Sequence, residues 1–242
     1  LEYNAKNKRN SNPTKEKIII LNKKKRSKKI SKISSGFIGA GAYAEKFLIP
    51  NFQKNGVLLN YLVSKEGISA TRIGKKFNFQ YASTSSDEIF KNKLINTVVI
   101  STQHNTHSDL VIKSINSSKN VFVEKPLCIN KIQLDEIEKA FKNSLKKKKE
   151  PFLMIGFNRR FSPHVIKIKE LLKSSAEPHS FIYTINSGKI DSSHWTQDLH
   201  IGGGRIIGEV CHFIDLLSFL SGSRIKSHKS IKMNSENNDT LS

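Results

Sequence analysis

The 242-residue sequence has few of the residues that mark disulfide-bonded, metal-binding or membrane-spanning proteins. Its two cysteines, Cys128 and Cys211, lie in apolar contexts without metal-ligand spacing, so we expect reduced thiols and no metal. No apolar run approaches the roughly 18 residues of a membrane-spanning helix, and no apolar segment follows the basic start as in a signal peptide. The sequence therefore predicts a cytoplasmic protein without a membrane span.

Acidic residues are also scarce, because 20 Asp and Glu oppose 41 Lys and Arg, giving a formal net charge of +21. Residues 1–33 hold twelve basic and two acidic residues, a local charge of +10 (12 − 2), and their composition predicts a basic linker or disordered segment. Lys, Asn and Ile are frequent along the whole chain, so nucleic acid is not the expected partner. Salt-dependent nucleic-acid binding through residues 1–33 stays an alternative.

From Ser34 onward, short apolar segments alternate with amphipathic helical patterns. This alternation predicts an α/β domain at 34–150, a Rossmann-type doubly wound parallel sheet. Beyond it, helices alternate with two strand-like segments, "HSFIYTINSG" (179–188) and "SRIKSHKSIKM" (223–233). Residues 151–242 are therefore expected to be a truncated α+β, open-sheet domain for substrate and oligomerisation, in a chain that is a fragment of a longer protein.

The segment "GFIGAGAYA" carries a GxGxxA pattern between a predicted strand and a predicted helix. Gly39 permits a tight turn, and Gly41 lets a pyrophosphate approach the backbone. Ala42 and Tyr43 begin the helix, whose first N–H groups face the phosphates, and Ala44 is small enough for close packing on the sheet. The segment therefore predicts a dinucleotide site.

The second strand ends in "LVSKEG", where an acid would accept a hydrogen bond from the 2′-hydroxyl of NAD. Ser64 and Lys65 stand there instead, and a hydroxyl with cations such as Lys65 and Arg72 suits the 2′-phosphate of NADP. Glu66 lies next to them, and its carboxylate would favour NAD. NAD and NADP both stay open as the cofactor, with the balance toward NADP.

Polar side chains follow two further predicted strands. "STQHNTH" after "TVVI" supplies Ser101, Thr102, His104 and His107, and "VFVEKPL" ends in Glu124, Lys125 and Pro126. Ligands of an open parallel sheet bind beyond the carboxyl ends of its strands. Both groups are therefore candidates for the cofactor and reaction site.

The helix "RIIGEVCHFIDLLSFL" carries Arg205, Glu209, His212 and Asp215 on one stripe of an otherwise apolar surface. The stripe lacks Lys, which the chain uses almost everywhere outside, and this favours a cleft over bulk water. His212 is then the candidate proton acceptor, with Asp215 one turn on to orient it.

Four segments together resemble the Gfo/Idh/MocA oxidoreductases: "GFIGAGAYA", "VFVEKPL", "GFNRRFSPH" and "GGGRIIGEVCHFID". With "HWTQD", the last segment is most similar to a subgroup in which this module follows a zinc-type alcohol-dehydrogenase-like module. The resemblance implies that Lys125 and His212 are catalytic, that Glu124 lies beside the nicotinamide ribose, and that a cis peptide precedes Pro126. It also implies a homo-oligomer for the full-length protein.

The resemblance further implies that Arg160 and Trp195 line the substrate pocket, with Thr102, His104 and His107 lining the cofactor. Two departures from the family pattern stand out. His104 belongs to a Gln-His pair that replaces the usual Pro-Asn, and Gly208 stands where many sugar dehydrogenases carry Asp. Glu209 substitutes for that Asp, or Lys125 and His212 act without it, or the chemistry differs.

These observations predict an NAD(P)-dependent oxidoreductase. It would transfer a hydride between nicotinamide and a hydroxyl-bearing carbon of a sugar, sugar nucleotide or polyol, with His212 or Lys125 as general base. An NAD-dependent glycosidase without net redox is one alternative. A non-catalytic cofactor-binding module is another, consistent with Gly208 and with the incomplete second sheet.

Overall fold

A computed structural model describes residues 18–22, 33–147, 150–174 and 177–231 of the chain. Seven strands form one sheet in the order β1-β4-β3-β2-β5-β6-β7, parallel throughout except for the antiparallel pair β1–β4. The strands are β1 (Ile18–Ile20), β2 (Ser34–Ile38), β3 (Leu58–Val63), β4 (Tyr81–Ser83), β5 (Thr97–Ile100), β6 (Asn120–Val123) and β7 (Leu153–Ile155).

Helices connect the parallel strands, and two more follow the sheet. They are α1 (Ile49–Lys54), α2 (Ile68–Lys76), α3 (Asp87–Lys91), α4 (His107–Asn116), α5 (Lys131–Lys146), α6 (Pro163–Lys173) and α7 (Cys211–Ser221). Wider π-helical turns at Ala44–Leu48 and Ile206–Val210 lead into α1 and α7. Such turns are frequent at functional sites. No helix in the described ranges is both long and apolar enough to cross a bilayer.

The central strands are buried on both faces and mostly apolar, as a sheet covered on both sides requires. Phe37 and Leu62 pack in a cluster on one face, while Val98 and Ile100 pack in a cluster on the other; all four side chains are fully buried. Full burial of such a side chain contributes about 1.5–3 kcal/mol. These two clusters fix the positions of the central strands, and therefore of the carboxyl ends of those strands.

The strand order reverses between β2 and β5, which is the switch point of a doubly wound sheet. β2 pairs with β3 on one side and with β5 on the other, both in parallel. The predicted Rossmann-type α/β fold is thus confirmed. Its ligand-binding edge lies beyond the carboxyl ends of β2, β3, β5 and β6.

Two boundaries differ from those predicted. Ile18–Ile20 pairs with β4, so the prediction that all of residues 1–33 form a linker is wrong for this strand; the other leader predictions fall mostly outside the described residues. Leu21 continues inward against Gly74, where an added Cβ would clash with it. At the other end, β7 pairs with β6, so the sheet continues past the predicted limit at residue 150.

The two strands predicted at 179–188 and 223–233 do not form within the described residues, which are irregular there up to residue 231. A β-ladder needs a neighbouring strand, and the described chain offers none beside them. A helical pair comes after the sheet instead: Val165 of α6 packs against Leu216 and Leu220 of α7. This pair sets α7 against the edge of the sheet that carries Lys125.

Candidate functional site

The glycine turn joins β2 to the first helix and opens onto a cleft. Gly39 has φ +105°, and its N–H donates to the Val63 carbonyl at 2.9 Å. A Cβ on Gly41 would meet no atom within 4 Å, so the backbone there faces open space. Ala42 and Tyr43 line the same cleft, whereas Ala44 is buried against the sheet as its predicted packing role requires.

The end of β3 contributes Ser64 and Lys65 to the cleft. The Ser64 hydroxyl accepts a hydrogen bond from the Ala70 N–H at 3.2 Å, which satisfies a free donor in the first turn of α2. Arg72 does not line the cleft, because its guanidinium binds Glu45 through two hydrogen bonds of 3.1 and 2.7 Å. Hydrogen bonds from Arg72 and Lys76 lower the pKa of Glu45 to about 2.

The loop after β5 divides its predicted residues between two places. Ser101 and Thr102 line the cleft, and the Ser101 hydroxyl donates to the Gly39 carbonyl at 3.2 Å. His104 also lines it. His107 does not, so its predicted cofactor contact is not found: it is fully buried at the start of α4, with Nδ1 2.7 Å from the carbonyl oxygen of Pro126. His107 therefore connects the loop after β5 to the segment after β6.

Glu124 and Lys125 follow β6 and line the cleft, and the Lys125–Pro126 peptide is cis, as the resemblance implies. Burial raises the pKa of Glu124 to about 7, although the backbone and charge of Lys125 oppose this. A Cβ on Gly156 would lie 2.9 Å from both carboxylate oxygens of Glu124, so only glycine leaves this carboxyl its place.

The Lys125 ammonium donates to the Gly208 carbonyl at 2.6 Å, which joins β6 to the π-helical turn before α7. His212 begins the next turn and faces the same cleft. Its Nδ1 is buried without a hydrogen-bond partner in the described chain. Burial, followed by the charges of Lys125 and Arg159, lowers the pKa of His212 to about 4.

The other members of the predicted stripe are engaged elsewhere. Glu209 accepts from Arg205 at 3.0 Å, and Arg205 also donates to the Gly188 carbonyl. Asp215 accepts from Arg160 Nε at 2.6 Å. Asp215 thus pairs with Arg160 and makes no hydrogen bond to His212 in the described chain, so its predicted orienting contact is not found. That Arg160 lines the substrate pocket stays a prediction, and Glu209 is held by Arg205.

Trp195 lines the cleft as predicted and packs edge-to-face on His104 at a ring distance of 4.8 Å. Sequence reasoning missed Asn158, whose side-chain amide donates to the Tyr43 hydroxyl at 3.0 Å across the cleft. It also missed Gly156 beneath Glu124. Both lie in "GFNRRFSPH", a segment the resemblance picked out, but no local pattern showed what they contact.

The cleft has a volume of about 1230 Å³. This exceeds the about 300–1,000 Å³ typical of drug-sized ligands and suits a longer molecule. The open backbone at Gly41, the unpartnered Nδ1 of His212 and the polar strand ends fit a dinucleotide along this edge. Among the described residues, no group of three or more His, Cys, Asp or Glu side chains is arranged to hold a metal.

Comparison with known proteins also indicates a dinucleotide-binding fold. A family model described as "Oxidoreductase family, NAD-binding Rossmann fold" matches residues 33–157, which are 125 of the 242 residues. An oxidoreductase of Formosa agariphila is 30% identical over 204 residues, covering 79% of this chain and 61% of the relative. Myo-inositol 2-dehydrogenase of Thermotoga maritima is 26% identical over 154 residues, covering 63% and 44%.

A solved structure of levoglucosan dehydrogenase in complex with NADH matches the fold with a TM-score of 0.63 at 20% identity, over 78% of this chain and 54% of that one. The chain thus spans between 44% and 61% of the length of these three proteins. Since the family model covers just over half of the chain and its Rossmann fold is the fold seen here, the chain belongs to the Gfo/Idh/MocA family of oxidoreductases.

Proposed function

We propose that the chain forms the cofactor-binding and reaction centre of an NAD(P)-dependent dehydrogenase that acts on a hydroxyl-bearing carbon of a sugar, sugar nucleotide or polyol. One observation carries the proposal: Lys125 and His212 meet in the same cleft as the glycine turn. The names of relatives such as myo-inositol 2-dehydrogenase and levoglucosan dehydrogenase support a polyhydroxylated substrate.

In this proposal, bound nicotinamide supplies a hydride acceptor or donor at its C4. The lowered pKa of His212 leaves its ring unprotonated at neutral pH, as a proton acceptor must be, and the same lowering makes it a weaker base than an exposed histidine. The Lys125 ammonium, fixed by the Gly208 carbonyl, stabilises negative charge developing on the same oxygen. Glu209 is paired with Arg205, so the proposal gives it no proton-transfer role; its charge only opposes the lowering of the His212 pKa.

The test is incubation of the protein with NAD⁺ or NADP⁺ and a panel of inositols, aldoses and anhydrosugars, followed by the absorbance of the reduced nicotinamide. The proposal expects reduction with at least one member. Hydrolysis of a glycoside without net reduction would favour the glycosidase alternative, and dinucleotide binding without turnover of any substrate in the full-length protein would favour a non-catalytic module.

For the cofactor we propose NADP, on the support of Ser64 and Lys65 at the end of β3. Ser64→Asp is expected to weaken NADPH binding and strengthen NADH binding, each by about tenfold or more, because the new carboxylate repels a 2′-phosphate and accepts from a 2′-hydroxyl. An aspartate can keep the hydrogen bond from the Ala70 N–H.

Fluorescence titration of the reduced dinucleotides measures both affinities, with the exposed Ser174→Asp as the matched control. An unchanged ratio of the two affinities in Ser64→Asp would contradict this assignment of the ribose site.

Glu124 gives a pH-dependent prediction. Its carboxyl pKa is raised from 4.5 to about 7, so the free protein holds the neutral form at lower pH, and a cationic ring bound beside it would stabilise the ionised form beyond what the backbone and charge of Lys125 already do. Affinity for oxidised dinucleotide should therefore rise with pH up to about 7, by at most about tenfold per unit. Affinity for the reduced form, whose ring is neutral, should stay flat.

The measurement is the ratio of the two dissociation constants at several pH values. Glu124→Gln should make the ratio independent of pH, and the exposed Glu136→Gln should leave it as in the wild type. A slope that persists in Glu124→Gln would assign the titration to another group. The same raised pKa means that Glu124 contributes less to folding stability as pH rises from 4.5 to 7.

The predicted fusion behind a zinc-type alcohol-dehydrogenase-like module, the homo-oligomer and the cytoplasmic location stay predictions. We propose them for the full-length protein on the strength of the resemblance.

A further inference from the structure

His104 begins the short 3₁₀ turn after β5 and is almost fully buried. Its Nδ1 lies 2.7 Å from the carbonyl oxygen of Gly202. A carbonyl oxygen can only accept a hydrogen bond, so Nδ1 carries the proton and donates. The contact with Gly202 thus assigns the tautomer of the ring.

The ring is also neutral in the physiological range. Burial lowers the pKa of His104 to about 4, and the positive charge of Lys125 acts in the same direction. A neutral imidazole protonated on Nδ1 has an unprotonated Nε2, which is a hydrogen-bond acceptor. Nε2 has no hydrogen-bond partner in the described ranges and is not among the fully buried unpartnered atoms, and His104 lines the cleft.

Three features of the surroundings hold the ring in place. Trp195 packs edge-to-face on the ring. A Cβ on Gly208 would lie 3.2 Å from Cε1 of His104, so the absence of a side chain at 208 makes room for the ring. The next residue, Asn105, donates its N–H to the Ile201 carbonyl at 3.0 Å and ties the loop to the segment before α7.

The strand order locates His104 at one end of the cleft. Ser64 follows β3, whereas Lys125 follows β6, and β2 and β5 lie between them. Neighbouring strands are about 4.8 Å apart, so the two ends of the cleft are separated by about 14 Å. His104 follows β5 and feels the charge of Lys125, so it belongs to the Lys125 end, away from Ser64.

We propose that His104 is a nicotinamide-orienting residue, whose unprotonated Nε2 accepts a hydrogen bond from the carboxamide N–H of the cofactor. The inference rests on the proposed function, because it requires the nicotinamide to lie at the Lys125 end. The carboxamide carries the only hydrogen-bond donor on the nicotinamide ring. A fixed acceptor beside it selects one rotation of the ring and hence the face that C4 presents to the substrate.

The test compares each oxidised dinucleotide with its 3-acetylpyridine analogue, in which a methyl group replaces the amide NH₂ and no donor remains. Competition against the fluorescent reduced dinucleotide gives both affinities. The wild type should bind the amide form about 3- to 10-fold more tightly than the analogue, which is the effect of one hydrogen bond. His104→Phe keeps a planar ring but removes the acceptor, so it should bind both forms equally.

The exposed His164→Phe is the matched control and should keep the wild-type ratio. A second measurement needs no variant: the ¹⁵N signal of His104 Nε2 should shift on addition of the amide form and not on addition of the analogue. Equal affinities in the wild type, or the same preference in wild type and His104→Phe, would overturn the proposal. Absence of any dinucleotide binding would instead overturn the proposed function itself.

Discussion

Replacement of Lys125 by methionine is expected to lower turnover by about 10²–10⁴-fold while dinucleotide affinity changes little. The ammonium lies in the cleft with His212 and is held by the Gly208 carbonyl at 2.6 Å. Methionine keeps most of the length of the side chain but removes the charge that would stabilise a developing alkoxide. The loss should therefore fall on turnover, because we place the phosphates at the glycine turn and not at this end.

The measurement is the rate of nicotinamide reduction in the full-length protein with the fastest substrate of the polyol panel. Lys131→Met is the matched control, since Lys131 is exposed and its ion pair is with Asp135, one turn along α5 and away from the cleft. A stability measurement accompanies it, because the hydrogen bond from the ammonium to the Gly208 carbonyl is lost, at a cost of about 1–3 kcal/mol. Unchanged turnover in a folded Lys125→Met protein would remove Lys125 from the mechanism.

Replacement of Gly39 by alanine is expected to abolish measurable dinucleotide binding and to destabilise the fold. Gly39 has φ +105°, a conformation that costs other residues about 1–3 kcal/mol. The added Cβ would lie 2.6 Å from the Ser101 carbonyl carbon and closer still to its oxygen. Because Gly39 links the ends of β3 and β5, the clash would push apart the two strand ends that frame the cleft.

Gly56→Ala separates the clash from the backbone strain. Gly56 also has a positive φ, +74°, but an added Cβ there would meet no atom within 4 Å. It should share the conformational cost and keep full dinucleotide affinity. Thermal unfolding and fluorescence titration of both variants distinguish the two effects. Equal affinity in Gly39→Ala and wild type would show that the turn does not hold the cofactor.

The Rossmann half could be predicted from the sequence because its signals are local. Each central strand is a short apolar run, and the glycine turn is contained within the single segment "GFIGAGAYA". The polar residues at the strand ends could be predicted by the same reasoning. Parallel strands place their carboxyl ends along one edge, which brings Thr102 and Lys125 to one cleft from distant parts of the sequence.

The features that the sequence could not predict depend on long-range pairing. Ile18–Ile20 is three residues in a basic run, and its role as a strand depends on β4, more than 60 residues away. The stripe on α7 was found, but its partners were not visible: Asp215 binds Arg160, 55 residues earlier. Helical spacing gives the face of a residue and leaves its partner undetermined.

The strands predicted at 179–188 and 223–233 are the opposite case: the local sequence favours strands, but the long-range pairing that a strand needs is missing from the described residues. Their composition favours β structure, and Ile182 is 93% exposed in the structure because no neighbouring strand covers it within the described ranges. β propensity reports how well a side chain fits a half-buried sheet, so it forms no strand where the described chain supplies no sheet.

The central claim is that the edge of this sheet holds a nicotinamide dinucleotide, and side-by-side titration of the purified chain with NADH and NADPH tests it most directly. We predict saturable binding, with NADPH the tighter ligand, because Ser64 and Lys65 line the cleft where we propose the adenosine ribose. If a chain shown to be folded by circular dichroism binds neither dinucleotide, the cleft is not a cofactor site and the proposed dehydrogenase is contradicted.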